Sequence, residues 1–326
     1  MLVRHTKIIG LVATAFVLNA MVMIPAFSQH RYHKPRFAPA PHKPQIKPDM
    51  LTLRYKPQAG TLLYEVRTQV RQEVRSDMND LKGTIHSEAE LAFHNESIDY
   101  KKGLWSFDEY FTRFQVSGRE LSGDSLSLHE NLAVNRIMRL TYDMKGNELS
   151  KVVQDSMRLL NAEAQTNAYF FQPPRMLIPL PEHAVTYGDT WQQNQTDTIH
   201  VHDTVNIGTT DGAYIYQVSR VYRFTRLLDT MDHYLAIIVA KDTGTFEGYQ
   251  TNSVTKIMTR SVGPISGADT TILDLFSGSV LKRTLDMHIP AEVRVASSTP
   301  FTDVLQVHSI VTLSEENAKE LLQVGG

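Results

Sequence analysis

The residues whose types and spacing come closest to a reactive site are His200 and His202, followed by Asp203. Residues two apart on a β-strand lie on the same face, so the two imidazoles could share one zinc ion. A catalytic zinc site needs a third protein ligand and an open position, and only His183 and His308 suggest themselves as that ligand. Two histidines on the solvated face of a strand would show the same spacing, so both interpretations stay open.

A second candidate for chemistry is Ser266 in the segment Gly263-Pro264-Ile265-Ser266-Gly267. A serine nucleophile elbow has one residue between its first glycine and the serine, and it lies on a strand-to-helix turn. Here two residues intervene, and the segment predicts a loop. Paired carboxylates are no better guide, because a chain with 35 acidic residues contains such pairs throughout. The sequence therefore predicts a protein that is not an enzyme and that needs no cofactor.

The densest aromatic segment runs from 104 to 114. In a strand, Trp105, Phe107 and Phe111 share one face, and Tyr110 lies on the other. These side chains could fill a core, or they could form a groove for a lipid, a glycan or a partner strand, since aromatic surfaces often bind ligands. The four residues are the candidate ligand-binding set.

The elements that must position these residues are antiparallel β-strands. From Leu62 to Arg75, Val66 and Val70 lie on one face while Gln69 and Arg71 lie on the other, as in a sheet with one solvated face. Further strands are predicted near 85–94, 104–117, 136–143, 148–153, 190–201, 213–228, 233–241, 244–260, 270–276, 279–289 and 303–313. Hairpin turns are predicted at Lys145-Gly146-Asn147, Asp211-Gly212 and Ser277-Gly278-Ser279.

Two helices interrupt the strand pattern. Apolar residues at helical spacing predict an amphipathic helix from Val153 to Phe171, and Ser314 can cap a short C-terminal helix. Similar features recur on both sides of the first helix, which suggests a duplication. The predicted fold is all-β and mainly antiparallel, with two similar curved-sheet or sandwich halves joined by that helix. The predicted divisions are a signal peptide (1–28), a basic Pro-rich tether (29–49), a first β half with the linking helix (50–172) and a second β half (173–326).

The duplication rests on matching turns. Gly60 and Gly188 each precede a strand that carries an aromatic residue, and Asp143 and Asp274 each start a turn that contains a glycine. With Tyr187-Gly188-Asp189-Thr190-Trp191, these motifs resemble a family of uncharacterised secreted bacterial β-proteins with a Gly-Asp-x-Trp turn and an Asp-x-x-Gly hairpin. The second hairpin departs from that pattern by one extra residue. The resemblance implies an all-β envelope protein, and it supplies no catalytic residues.

The N-terminus predicts export. Arg4 and Lys7 precede an apolar run from 8 to 24, and Ala26-Phe27-Ser28 offers small residues for cleavage. Five basic residues and five prolines then occupy positions 29 to 49, a composition typical of a semi-rigid extended tether. The tether could act as a spacer or attract acidic envelope polymers. The chain has no cysteine, which excludes disulfides and thiolate chemistry.

Composition also limits the partners. With a net charge of −2, the chain has no overall field that would attract nucleic acid, and no second apolar run reaches membrane-spanning length. We therefore expect an exported, periplasmic or extracellular envelope protein. It would bind or scaffold an envelope protein, glycan or lipid through its sheet surfaces without catalysis. The alternatives are a carrier of lipid or another hydrophobic ligand in a curved sheet, and a metal-dependent hydrolase that uses His200 and His202.

Overall fold

The protein folds into antiparallel β-strands that form one sheet. The computed structural model describes residues 50–76, 80–119, 125–128, 138–153, 176–205, 208–230, 233–296 and 298–317. The strands are β1 (Gly60–Arg75), β2 (Asp80–Asp99), β3 (Leu104–Arg119), β4 (Ser125–Leu128), β5 (Met138–Asp143), β6 (Glu148–Val153), β7 (Thr190–Val205), β8 (Gly208–Asp229), β9 (Tyr234–Asn252), β10 (Met258–Asp274), β11 (Val280–Val295) and β12 (Phe301–Leu313).

The strand order in the sheet is β6-β5-β3-β2-β1-β12-β11-β10-β9-β8-β7, and β4 pairs with β3. The predicted all-β, antiparallel class is confirmed. So is the short C-terminal helix, a single turn over 315–317 in which the Asn317 amide lies 3.4 Å from the Ser314 hydroxyl that caps it. The predicted linking helix lies outside the described residues. Both predicted halves contribute to the one sheet, and their division into similar halves remains a prediction.

One face of the sheet, the inner face, carries the main hydrophobic core. Two extended segments, 51–58 and 176–189, lie on it and are joined by an antiparallel bridge between Leu51 and Val185. The Tyr55 hydroxyl donates to the Ile178 carbonyl and accepts from the Ile178 amide, both at 2.9 Å. Because these segments supply their own apolar side chains to the core, the inner face at this end of the sheet is occupied by the chain itself.

A smaller apolar cluster lies farther along the inner face, built on Tyr216, Phe246 and Ile265. Buried polar residues also line the inner face. Arg220 Nε donates to Asp242 at 3.1 Å, and Arg283 pairs with Asp269. The sheet therefore carries apolar packing and buried ion pairs on its inner face.

Two hairpin turns use an aspartate in the same way. In the β5–β6 turn, the Asp143 carboxylate accepts from the Lys145 and Asn147 amides, and Gly146 has φ +80°. In the β10–β11 turn, the Asp274 carboxylate accepts from two amides and a hydroxyl, and the glycine that follows has φ +66°. A left-handed backbone at this point favours glycine. The predicted turns at 145–147 and 277–279 are therefore confirmed.

Three local predictions are wrong. Asp211-Gly212 lies inside β8, and the segment 263–267 lies inside β10. The strands predicted over 233–241 and 244–260 are divided at the wrong place, because β9 continues through 242–243 to Asn252 and β10 begins only at Met258. In β10, the ladder to β11 lapses over 263–265, where Pro264 and Pro290 offer no amide hydrogen, while the ladder to β9 continues. Glycines at 212, 263 and 267 permit close approach to neighbouring backbone carbonyls. Glycine is therefore found here where two strands lie close together, and not only in turns.

Candidate functional site

The opposite face, which we call the outer face, aligns polar side chains across six neighbouring strands. Alternation along β1 directs Gln69 and Arg71 to this face, and strand register places the other residues beside them. We name the two resulting rows together the outer-face patch. Its first row is His86, Gln69, His308, Asp286, Ala268 and Lys241, and its second row is Thr84, Arg71, Gln306, His288, Ser266 and Thr243.

A shallow depression of about 450 Å³ lies at the centre of the outer-face patch. Its lining comes from β1, β10, β11 and β12. The β10 contribution is small, because Ser266 and Ala268 rise less above the sheet than the glutamine and histidine side chains around them. Small residues beside long polar ones thus create a recess on an otherwise flat surface.

Hydrogen bonds between strands hold several side chains of the patch. His308 Nδ1 lies 2.6 Å from Asp286 Oδ1. Gln306 Nε2 lies 3.5 Å from His288 Nδ1, and Gln69 Nε2 lies 3.5 Å from His86 Nε2. These cross-strand contacts link the imidazoles and amides to a rigid sheet, which reduces the freedom they would lose on binding a ligand.

The patch carries more basic than acidic groups. Arg71 and Lys241 are exposed cations, and Asp286 is the single carboxylate of the two rows. The charged residues on β1 that border the patch are already paired. Glu73 binds Lys82 at 2.9 Å and Arg75 at 2.9 Å. The patch thus keeps cations available for a partner while acidic neighbours are neutralised.

The arrangement does not assemble a serine relay. Ser266 lies directly opposite His288, but the carboxylate that would orient that histidine, Asp286, pairs with His308 instead. Nucleophilic catalysis needs the base to be oriented by its own partner. What the patch offers is a set of hydrogen-bond donors and acceptors at fixed positions.

The aromatic residues singled out in the sequence belong mostly to the core. Trp105 and Phe107 are 9% and 1% exposed, and both lie in the main hydrophobic cluster, with ring centroids 5.3 Å apart. Phe111 packs against that cluster, and Tyr110 is half-buried. Core filling, one of the two interpretations left open, describes Trp105 and Phe107. A ligand-binding role for the four residues remains a prediction.

The histidine pair proposed for zinc lies on β7, where His200 pairs with Ala213 and His202 with Asp211. The structure describes the backbone of these two histidines but not their side chains. Their suggested third ligand His308 lies on β12, and four strands separate β12 from β7 in the sheet. Among the residues that the structure describes, no group of three His, Asp or Glu side chains is arranged to hold a metal ion.

Only part of the outer-face patch could be predicted from the sequence. The alternation from 62 to 75 correctly assigns Gln69 and Arg71 to the solvated face. Asp286, His288 and Gln306 come from the far end of the chain, and only the pairing of β1 with β12 brings them alongside. A sequence signal does exist, namely histidine and polar residues two apart in β11 and β12, but it does not reveal which strands are neighbours.

Comparison with known proteins assigns no family. No family model matches the chain, and no curated protein matches it significantly. Several solved structures show weak similarity. Pseudomonas aeruginosa OccK2 in complex with glucuronate is 8% identical, with 78% of this chain and 100% of that chain covered and a TM-score of 0.24. A BenF-like porin from Pseudomonas fluorescens is 6% identical, with 78% and 99% covered and a TM-score of 0.23.

A mutant of Rh. blastica porin is 8% identical, with 77% and 99% covered and a TM-score of 0.20. Scores this low support no assignment of fold or function to the chain. Separately, none of the helical residues within the described ranges forms a segment long and apolar enough to cross a bilayer.

Proposed function

We propose that this chain is an exported, non-catalytic binding protein of the bacterial envelope, and that it binds its partner through the outer-face patch. Export is supported by the sequence of residues 1–28, with its basic start, apolar run and small residues before position 29. Envelope location follows from export in this proposal.

The observation that carries the proposal is the contrast between the two faces of the sheet. The inner face holds both hydrophobic clusters, including the aromatic residues of β3. The outer face presents a recess of about 450 Å³ whose imidazole, amide and carboxylate groups are held by cross-strand contacts. Polar groups that converge on a concavity fix the orientation of a bound ligand and provide specificity.

Site-specific photo-crosslinking in the full chain, in its native host, tests this function. A diazirine amino acid is placed at Gln306, within the recess, and in a matched variant at Thr312, an exposed position of the same strand that lies outside the recess. We expect a discrete adduct from position 306 and none from position 312. Equal labelling from both positions, or none from position 306, would refute binding through the patch.

A second measurement addresses the absence of catalysis. The purified chain is incubated with generic ester, phosphoester and glycoside substrates, with and without added zinc. We expect either no turnover, or turnover that the His200→Ala and Ser266→Ala variants retain. Turnover that depends on either residue would make the hydrolase interpretation correct.

A further inference from the structure

We infer that the outer-face patch takes an acidic glycan, an extended carbohydrate that bears both hydroxyl groups and repeated negative charges. This inference rests on the proposed function and names the class of ligand for the same site. It follows from the charge of the patch, the kinds of hydrogen-bonding group it presents, and its length.

Charge comes first. Arg71 in β1 and Lys241 in β9 carry permanent positive charge, and no residue of the described chain neutralises either of them through a hydrogen bond or ion pair. His86, His288 and His308 add up to three more positive charges when protonated, against the single carboxylate of Asp286. The β10 residues of the patch are uncharged. The two rows therefore have an excess of one positive charge with neutral histidines and of four with protonated ones, which attracts a polyanion.

The neighbouring rows contain charges of both signs. On one side, Glu73 is paired with Lys82 and Arg75. On the other side, Arg67 of β1 is paired with Glu65 at 3.8 Å and also lies opposite Glu88 of β2. The excess of positive charge is thus a property of the two rows of the patch themselves.

The acceptors identify the second property of the ligand. The side-chain carbonyl oxygens of Gln69 and Gln306 accept hydrogen bonds, as does the Asp286 carboxylate, whose Oδ1 already lies 2.6 Å from His308 Nδ1. An anion alone supplies no donor to these groups. Sugar hydroxyl groups donate and accept, so a glycan can satisfy the amides and the carboxylate while its acidic groups bind Arg71 and Lys241. Nucleic acid fits less well, because the patch has no Phe, Tyr or Trp side chain, and its smaller imidazole rings give a base less surface on which to stack.

The length of the patch suits a polymer. The rows cross six strands, from β2 to β9, and strands lie about 4.8 Å apart, so each row extends over roughly 24 Å. An extended glycan of several sugar units can cross the two rows obliquely and contact Arg71 of the second row and Lys241 of the first at once. The depression at the centre then holds one or two of those units.

Binding is tested by isothermal titration calorimetry on the full chain at low salt and pH 7.5. The probes are polygalacturonate for carboxylate glycans, a phosphorylated mannan for phosphate glycans, dextran as the neutral glycan, and single-stranded oligothymidylate as a nucleic acid. We expect one or both acidic glycans to bind and dextran not to bind. Binding of dextran with equal affinity, or of oligothymidylate alone, would overturn the inference.

The three imidazoles of the patch are tested by replacing His86, His288 and His308 together with glutamine. We expect this triple variant to bind the acidic glycan less tightly than the unchanged protein, because it loses the imidazole contacts of both rows. Unchanged affinity in the triple variant would contradict the assignment to the patch.

The basic tether could bind acidic polymers by itself, so variants separate the two contributions. Arg71→Gln should weaken binding roughly five- to tenfold through the loss of one charge-assisted contact. Arg260→Gln is the matched control, because Arg260 is exposed on the same face but already paired with Glu247 at 2.8 Å. Asp286→Asn should strengthen binding at pH 7.5. Identical affinity in Arg71→Gln and Arg260→Gln would assign the binding to the tether and refute the inference.

The outcomes also separate this inference from the proposed function. If position 306 crosslinks to a partner but neither acidic glycan binds, the patch is a binding site for another ligand class and the glycan assignment is wrong. If position 306 yields no adduct and no acidic glycan binds, both the proposed function and the glycan assignment are wrong.

Discussion

Arg283 and Asp269 form an ion pair on adjacent strands of the inner face, with side chains only 2% and 1% exposed. Arg283 Nε donates to Asp269 Oδ2 at 2.9 Å, while Arg283 Nη1 and Asp269 Oδ1 have no hydrogen-bond partner among the described residues. Each charge therefore depends on the other for compensation, because neither reaches water. Burial by itself would penalise both charges, and the nearby carboxylate keeps the pKa of Arg283 above its ordinary value.

Removal of one partner should be far more costly than removal of both. We expect Arg283→Met to lower the free energy of unfolding by about 3–5 kcal/mol, because it leaves Asp269 buried and unpaired. The double variant Arg283→Met, Asp269→Leu should recover most of that loss, since neither member of the pair is then left as an uncompensated buried charge. Urea denaturation monitored by circular dichroism measures both.

Arg294→Met is the control, since Arg294 pairs with Glu292 at an exposed site, with side chains 70% and 52% exposed. It should change stability by less than about 0.5 kcal/mol. Equal losses in the single and double variants at 283 and 269 would show that packing rather than charge compensation determines the cost.

Asp303 should make stability depend on pH. Burial raises the pKa of Asp303 to about 6 from an ordinary value of 3.8, although a hydrogen bond from Gln72 opposes the shift. Between these two values the folded state holds a proton that the unfolded state has released. The free energy of unfolding should therefore fall as pH rises from about 4 to 6, and the contribution of Asp303 should be constant above that range.

Asp303→Asn should remove this part of the slope and stabilise the protein at pH 7 by about 1–2 kcal/mol. Denaturation midpoints at pH 4.5, 5.5 and 7 give the slope. Asp80→Asn, at an exposed position of β2, is the control and should leave the slope unchanged. A slope that persists unaltered in Asp303→Asn would assign it to other groups.

Gly146 should tolerate no side chain. It has φ +80°, and a Cβ atom there would lie 2.5 Å from the Ile178 carbonyl oxygen and 2.5 Å from the Tyr55 ring. We expect Gly146→Ala to cost about 2–4 kcal/mol through backbone strain plus displacement of the segment that covers the core. Differential scanning calorimetry measures the loss.

Gly60→Ala provides the comparison, because Gly60 has φ +111° but no atom lies within 4 Å of its added Cβ. It should cost only about 1 kcal/mol, the strain of the backbone alone. If the two substitutions cost the same, contact with Tyr55 and Ile178 contributes nothing.

Phe107 distinguishes the two interpretations of the aromatic segment. It is 1% exposed and packs against Phe93 and Tyr142, with ring centroids 4.9 Å and 5.5 Å away. Phe107→Ala should lower the free energy of unfolding by about 3–5 kcal/mol because it opens a cavity. Leu149→Ala, at a 57% exposed position of β6, should change it by less than about 0.5 kcal/mol. A stable Phe107→Ala variant would indicate a groove rather than a core.

Much of the fold follows from short-range pattern. Alternation identifies β1 and its two faces, and the aspartate and glycine of the 143–146 turn predict its hairpin, because both signals are local. The errors in β8, β9 and β10 arise where glycine and aspartate serve tertiary roles. Gly212 and Gly263 make room for a neighbouring strand, and Asp242 pairs with Arg220 across the sheet. Local propensity cannot distinguish these uses from turns.

The candidate site was less accessible to sequence reasoning than the fold. Arg71 and His288 are both polar residues of strands with a solvated face, and nothing in their local sequence places them in one row. That relation depends on the pairing of β1 with β12 and of β12 with β11. The sequence instead drew attention to Trp105 and Phe107, whose residue type suggests binding but whose burial places them in the core.

The pairing of β1 with β12 has a consequence for folding kinetics. Thr68 and Ser309, whose hydroxyls lie 2.9 Å apart in the middle of this seam, are separated by 241 residues along the chain. Bringing two such distant residues together costs a large amount of chain entropy before their contact contributes any stabilising free energy. Sheets of high contact order therefore fold slowly. The strands on either side can pair by extending local hairpins, whereas β1 and β12 can pair only after β12 has been synthesised. Until then the backbone groups on the β12 side of β1 are unpaired. During synthesis this edge must be protected from pairing with a strand other than β12.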